Sequence, residues 1–316
     1  MLRYTARRVP SAVVVLVVAS MAVFGLIHLA RGDPAAEAAG PDASPAAVAA
    51  KRHALGLDQS LVHQYLSWLH GLLTGNLGRA YISGTPVSQL IGNSIGNTVE
   101  LTVAASLLTI VAGVAVGLLL GTVRRAIGQA VVGGFVGLAF AVPTYVSGVL
   151  LVLLFAVTLP ILPAGGHQSL LANPEIGVQY LIMPAVCLAL PAIATVARFL
   201  ATSIRQQLDE EYMQAGIAKG LTSRRLLLRH ALPNALPPVL AVVGIQVGQM
   251  LGGAIVVEAI FAWPGVGQLI RDSVLSHEYL VVQDLLLLAV AVFVVLQVVV
   301  DLLHAAVDPR LRQGEV

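Results

Sequence analysis

The chain has 316 residues, of which 57% are hydrophobic and only 11% are charged, and its formal net charge is +2. Charged residues make up about a quarter of an ordinary soluble domain, so this composition excludes a water-soluble globular protein. The single cysteine, Cys187, excludes an internal disulfide and a site built from paired cysteines. The sequence therefore predicts an all-α integral membrane protein.

Six apolar runs meet or approach the roughly 20 residues that a helix needs to cross the hydrocarbon core of a bilayer. The first run is too long for the apolar core of a signal peptide and lacks a small-x-small cleavage site, so we expect a retained span. Pro143, inside the third run, should kink or interrupt that helix. The six runs lie at about 9–30, 99–123, 130–159, 178–200, 235–260 and 285–306.

The distribution of basic residues predicts the orientation of the spans. With the N-terminus in the cytoplasm, most of the 18 Lys and Arg residues fall on or near the cytoplasmic side, as the positive-inside rule requires. Both termini are then cytoplasmic, because the number of spans is even. We expect an N-terminal tail with the first span (1–31), an extracytoplasmic loop (32–96) and a core transmembrane domain (97–316).

One stretch of the extracytoplasmic loop has the pattern of a helix that lies on a membrane surface. Leu61, Tyr65, Leu69 and Leu72 recur there at helical spacing. The alternative is a small lid that packs on the protein and has no ligand role.

Glycine recurs at every fourth residue in the second and fifth runs. Small residues let helix backbones approach closely in lipid, where apolar side chains alone give helices little reason to associate. We predict close helix contacts at both triplets, within the chain or with a partner subunit; chance spacing in a glycine-rich chain is the alternative. The triplets are Gly113, Gly117 and Gly121, and Gly244, Gly248 and Gly252.

Polar residues inside spans are costly, and each is therefore a candidate for a transport pathway or gate. Glu258, near the outer end of the fifth run, is the first candidate, followed by Gln246 and Gln249. Pro143 joins them because broken helices at membrane depth often line a path. The alternative is structural: the polar side chains satisfy neighbouring helices, and the proline makes a packing kink.

A charged segment separates the fourth and fifth runs. Three acidic residues from Asp209 onward suit the start of a helix, and Gly220 suits its end. Thr222 or Ser223 is placed to cap a second short helix. Pro233 should stop that second helix before the membrane resumes.

This segment resembles a known signature. Gln214-Ala215-Gly216, Gly220 and Leu232-Pro233 keep the spacing of the EAA signature. Residues 209–233 are thereby similar to the cytoplasmic coupling loop of bacterial ABC-importer permeases, a helix pair that sits in a cleft of the ATP-binding subunit. Further segments resemble the B-type permease of dipeptide, oligopeptide and nickel importers, and they lie at 31–34, 75–78, 97–101, 258–267 and 301–312.

The resemblance implies the six-helix fold of a type I ABC-importer permease in the bacterial cytoplasmic, or inner, membrane. It implies three kinds of partner: a second homologous permease in a heterodimer, two ATP-binding subunits, and an extracytoplasmic substrate-binding protein. It also implies an ATPase contact, which would involve Glu211, Ala215, Gly216, Gly220, Arg224, Arg225, Leu232 and Pro233.

Neither lysine is followed by Ser or Thr, as a phosphate-binding loop would require. We therefore expect a transport subunit that is not an enzyme, with no cofactor bound by this chain and with ATP and Mg²⁺ on partner ATPase subunits. No metal site is expected. Asp301, His304 and Asp308 share a helix face, but they lie at the inner boundary, where polar side chains cost little.

The leading interpretation is a permease subunit that forms half of the translocation pathway for dipeptides or oligopeptides. Within the same architecture, the alternative is an importer permease for nickel or another metal chelate. An alternative of a different class is a membrane scaffold or receptor subunit that does not transport.

Overall fold

The computed structural model describes residues 2–29, 32–123 and 125–307, and this part of the chain is almost entirely helical. Its only pairing of β type is an isolated bridge between Arg79 and Pro86. The all-α prediction is confirmed. The helices are α1 (Leu2–Leu29), α2 (Pro34–Ala39), α3 (Pro45–Ala54), α4 (Leu61–Leu73), α5 (Val87–Thr122), α6 (Ala126–Ala141), α7 (Thr144–Val152), α8 (Pro174–Leu208), α9 (Glu211–Ala218), α10 (Ser223–Leu226), α11 (Leu232–Ile260), α12 (Val266–Leu275) and α13 (Tyr279–Val307), with π-helical turns at Leu153–Thr158 and Leu227–Ala231.

Within the described residues, five helices are long and apolar enough to cross a membrane, and a bent pair makes six if it counts as one span. The second span begins earlier than predicted, because α5 starts at Val87 and not near residue 99. Hydropathy marks the apolar part of a helix, whereas the more polar residues 87–98 extend the same helix beyond it.

The bent pair lies where the sequence predicts an interrupted helix. α6 ends at Ala141, and the chain resumes in α7 at an angle of 106°. Val142 is extended because a residue before proline disfavours the helical conformation. Pro143 is the N-cap of α7, where its missing N–H is tolerated. The predicted interruption is therefore confirmed, and it takes the form of a sharp turn.

The chain divides into two compact units, and the first is centred on Val99–Trp263. α8 is its central helix: it is the most buried of the candidate spans and packs against α6, α7 and α11. Leu101, Cys187 and Phe261 belong to its largest hydrophobic cluster. Pro184 and Pro191 lie inside α8 without ending it.

The first glycine triplet lies at the contact between α5 and α8. A Cβ atom added at Gly113 would lie 2.8 Å from Val196 Cγ1, and one added at Gly117 would lie 2.9 Å from Leu200 Cβ. At Gly121 the corresponding distance to Ile204 Cβ is 3.2 Å. The three contacts advance four residues at a time on both helices, so the glycines allow the two backbones to approach along three turns.

The glycines of the second triplet do not all lie at one helix contact. Gly248 is buried in α11 and Gly244 is half-buried, but a Cβ atom at Gly252 would have nothing within 4 Å. The adjacent Gly253 faces α8 instead, because a Cβ atom there would lie 3.2 Å from Leu188 Cδ1. A step of one residue turns a helix by about 100°, which directs Gly252 away from α8.

The second unit is formed by described residues of Thr5–Thr98 and Pro264–Val295. Ser60 caps α4, as its side chain accepts a hydrogen bond from His63 N. Trp68 on α4 donates its indole N–H to Asp284 Oδ1 on α13 at 2.7 Å. The predicted helix at this position is therefore present, and one of its faces is held by the protein.

Glu278 anchors the turn that precedes α5. Its carboxylate accepts hydrogen bonds from the backbone N–H groups of Ile82 and Ser83, the shortest at 2.7 Å. Burial raises the pKa of the neighbouring Tyr81 hydroxyl to about 12, with the negative charges of Asp284 and Glu278 adding to the shift. Tyr81 therefore stays neutral at physiological pH.

We expect Gly117→Ala to lower the free energy of unfolding by about 1–3 kcal/mol, because the added methyl group overpacks the α5–α8 contact. Gly133→Ala is the matched control, since a Cβ atom at Gly133 in α6 has nothing within 4 Å. It should leave stability unchanged or slightly raised. Unfolding in detergent measures the free energy of unfolding of both variants. Equal stability of the two variants would contradict this account of the α5–α8 contact.

We expect Trp68→Phe to lower the free energy of unfolding by about 1–3 kcal/mol, because it leaves a buried acceptor without its donor. The other carboxylate oxygen, Asp284 Oδ2, is already buried without a hydrogen-bond partner among the described residues. A double-mutant cycle with Asp284→Ala isolates the pair. Strictly additive losses in the double variant would show that the two side chains are not coupled.

Candidate functional site

The charged segment between α8 and α11 folds into two short helices joined by a tight turn. Glu210 is the extended N-cap of α9, and Glu211 lies in its first turn, where a carboxylate is stabilised by the helix dipole. α9 ends before Gly220, which has φ of +76° and donates its N–H to Ile217 O at 2.9 Å. A left-handed glycine of this kind is a common helix terminator.

The second helix is capped as the sequence predicts. Thr222 Oγ1 accepts a hydrogen bond from Arg225 N at 3.4 Å, which makes Thr222 the N-cap of α10. The prediction that Pro233 stops this helix is wrong. α10 runs through the π-helical turn Leu227–Ala231 into α11 as one continuous helix up to Ile260.

The π turn explains why the proline is tolerated. Leu232 N donates to Leu227 O, five residues back, immediately before Pro233. In a regular α-helix the proline ring would clash with the carbonyl four residues earlier, and the wider turn makes room for it. We name the segment from Asp209 to Pro233 the elbow.

A small core holds the elbow together. Met213 of α9, Leu226 of α10 and Ala231 are buried against one another. A Cβ atom at Gly216 would lie 2.6 Å from Leu226 Cδ2, so the glycine lets α9 approach α10 closely. The two helices therefore form one packed body.

The outer surface of the elbow is both basic and apolar. Glu211, Ala215, Gly220, Arg224 and Arg225 are exposed, as is Pro233, whereas Gly216 is buried and Leu232 is half-buried. The sequence reasoning missed three exposed apolar residues, Tyr212, Ile217 and Leu228. A signal was available for Leu228, because a step of two residues from Leu226 turns a helix by about 200°, to its opposite side. Such a surface is suited to a partner with an apolar cleft and acidic side chains.

The candidate pathway residues do not form one cluster. Glu258 is fully buried in α11. Gln246 Nε2 donates to Gln249 Oε1 at 3.1 Å on a more exposed side of the same helix. Nine residues separate Gln249 from Glu258, which places them on opposite faces of the helix. Pro143 is exposed at the break before α7.

One partly buried polar pair was not predicted. His167 Nε2 lies 3.4 Å from Glu100 Oε2, and the imidazole packs edge-on against Trp263 with 4.5 Å between ring centroids. Glu100 Oε1 is buried and has no hydrogen-bond partner among the described residues. Glu100 and His167 are 67 residues apart, and the sequence contains no local signal that pairs them.

Among residues that the structure describes, no three His, Cys, Asp or Glu side chains are placed to hold a metal ion. The side chains of Asp301 and His304, and the whole of Asp308, lie outside the described residues. The second unit contains an open cavity of about 730 Å³, lined partly by Phe24, His28 and Arg52.

Comparison with protein families gives two matches that together cover nearly the whole chain. Residues 113–313 match the binding-protein-dependent transport system inner membrane component. Residues 1–107 match the N-terminal region of the same kind of transport-system membrane component.

Curated relatives match over their full length. A probable peptide ABC transporter permease protein of Sinorhizobium fredii is 35% identical over 309 residues, which are 98% of this chain and 99% of that protein. A glutathione transport system permease protein, GsiC, of Escherichia coli is 34% identical over 312 residues, or 99% of each chain.

Solved structures show the same fold at lower identity. An inward-facing methionine ABC transporter, MetNI, superposes with a TM-score of 0.57 at 20% identity, over 71% of this chain and 98% of that one. An amino acid ABC transporter superposes with a TM-score of 0.54 at 15% identity, over 69% and 94% of the two chains. Together with the family matches, these similarities confirm the resemblance: the chain belongs to the family of binding-protein-dependent transport system inner membrane components, the permease subunits of ABC importers.

Proposed function

We propose that this chain forms half of the translocation pathway for dipeptides or oligopeptides in an ATP-driven importer. The observation that carries the proposal is the elbow, a packed and exposed helix pair that connects α8 directly to α11. The relatives named for peptide and glutathione transport support a peptide substrate. They do not favour the nickel or scaffold alternatives.

The connections of the elbow suit it to pass a displacement to α8 and α11. α9 follows α8 after a two-residue link, and α10 continues into α11 without a break in the helix. α8 and α11 also pack against each other inside the first unit. A partner that moves the elbow therefore moves two packed spans together, so the force reaches the core of the permease.

We assign ATP hydrolysis to other polypeptides. One of two ATP-binding subunits would dock on the basic and apolar outer surface of the elbow. The two subunits would carry the ATP and Mg²⁺, while this chain binds no cofactor. With the elbow in the cytoplasm, both termini are cytoplasmic as well. A substrate-binding protein would deliver the peptide from the opposite side.

A second, homologous permease would complete the pathway as the other half of a heterodimer. One face of α11 supports this, because Ile245, Gln249, Gly252 and Val256 recur along it and are exposed in the single chain. Gly252 leaves space there for a close neighbour. The face also carries the Gln246–Gln249 pair, which places polar groups beside the proposed path.

We expect Gly220→Pro to abolish uptake while membrane insertion stays normal. Proline fixes φ near −65°, whereas Gly220 has φ of +76° and uses its N–H to close the end of α9. Gly220→Asn is the matched control, since asparagine tolerates left-handed backbone and should retain most uptake. Peptide uptake into reconstituted vesicles measures both, and normal transport by the proline variant would refute the role of the elbow.

We expect the pair Arg224→Glu and Arg225→Glu to reduce recovery of ATP-binding subunits about tenfold, equivalent to roughly 1.4 kcal/mol of lost affinity. Arg271→Glu, a charge reversal at an exposed arginine outside the elbow, is the control. Quantitative co-purification and binding-protein-stimulated ATPase activity give the readout. A scaffold that does not transport would recover no ATP-binding subunits even as the unaltered chain. Unchanged recovery in the double variant would contradict the proposed docking surface.

A further inference from the structure

Contacts with α1 fix the position of α4. Ser20 and Tyr65 share a hydrogen bond of 2.9 Å between their hydroxyl oxygens. Phe24 packs edge-on against Tyr65, with 5.4 Å between ring centroids. One turn farther along α1, His28 Nε2 lies 3.3 Å from Gln64 Oε1. Since adjacent residues of α4 meet three successive turns of α1, α4 crosses α1 and does not run along it.

This crossing lies near the end of a membrane span. The apolar part of α1 is Pro10–Leu29, which is 20 residues long. Phe24 is five residues before its end, which corresponds to about 7.5 Å along the helix axis. Amphipathic helices that lie in a bilayer interface are buried by about 5–10 Å at the boundary between headgroups and acyl chains. α4 is thus held at the depth of that boundary.

The outer face of α4 is divided into an apolar and a polar strip. Val62, Leu66 and Leu73 are 69%, 56% and 80% exposed, and their spacing places them within an arc of about 40°. His63 and His70 are exposed on the adjoining arc. An exposed apolar strip beside a polar strip is the pattern of a helix with one side in lipid and the other in water.

We propose that α4 lies in the membrane interface at the C-terminal end of α1, with Val62, Leu66 and Leu73 in contact with lipid acyl chains. The residues differ from the strip that the sequence predicts, because Tyr65 faces α1. Lipid is the occupant because α1 exposes apolar residues on both sides of Phe24 along its axis, Met21 and Leu26. The apolar surface of the span therefore continues onto α4.

The same helix links this lipid surface to a second span. The indole of Trp68 is hydrogen-bonded to Asp284 of α13, on the side of α4 that faces the protein. α4 therefore joins α1, α13 and one leaflet, and this hydrogen bond couples the lipid-facing helix to α13.

The experiment compares neighbouring positions of α4 in the full chain, purified with its partner subunits. Leu66→Cys and Leu73→Cys probe the apolar strip, and Ser67→Cys and His70→Cys are matched controls on the polar strip. Native Cys187 can stay in place because it is buried. The vesicles contain phosphatidylethanolamine and phosphatidylglycerol, with or without brominated phosphatidylcholine as a lipid-borne quencher.

We expect a charged maleimide to label positions 66 and 73 about tenfold more slowly than 67 and 70, because a thiol in an apolar environment forms less of the reactive thiolate. A bimane attached in detergent at 66 or 73 should be quenched by the brominated lipid after reconstitution, and one at 67 or 70 should not. Equal labelling at all four positions would overturn the proposal. Slow labelling at 66 without lipid quenching would also overturn it, since a protein surface would then cover the strip.

Discussion

The close approach of α5 to α8 is the constraint on which the rest of the first unit depends. Between helices in lipid, association relies on close van der Waals packing and not on the expulsion of water. Three glycines of α5 remove the side chains that would separate the two backbones, and Val196, Leu200 and Ile204 of α8 fill the space. α8 in turn packs against α6, α7 and α11. The glycine contacts therefore fix the position of α8 against α5, and the elbow follows the end of α8.

The elbow has few internal degrees of freedom, which the proposed transmission of force requires. Its turn is fixed by a left-handed glycine, its two helices share a buried core, and its second helix is continuous with α11. A flexible loop of the same composition would absorb a displacement instead of passing it on. The π turn before Pro233 is part of this continuity, since it accommodates the proline without breaking the helix.

Local features could be predicted from the sequence, whereas contacts between distant residues could not. The cap at Thr222, the turn at Gly220 and the break at Pro143 each depend on a few neighbouring residues. The pairs Trp68–Asp284 and Glu100–His167 join residues from different helices and loops, and no periodic pattern marks them. The effect of Pro233 was misjudged because it depends on the width of the preceding turn, which composition does not specify.

The second unit shows why polar residues near the end of a span need not line a path. Glu278 lies just before α13 and Asp284 lies in its second turn, and both are buried. Glu278 satisfies two backbone N–H groups of the turn at Ile82, and Asp284 accepts the indole N–H of Trp68. Both carboxylates thus fasten surface segments to the start of a span. A buried acid in such a protein is a pathway candidate only after its donors are known, because an acid that already accepts hydrogen bonds from its own chain has less capacity left for a passing ligand.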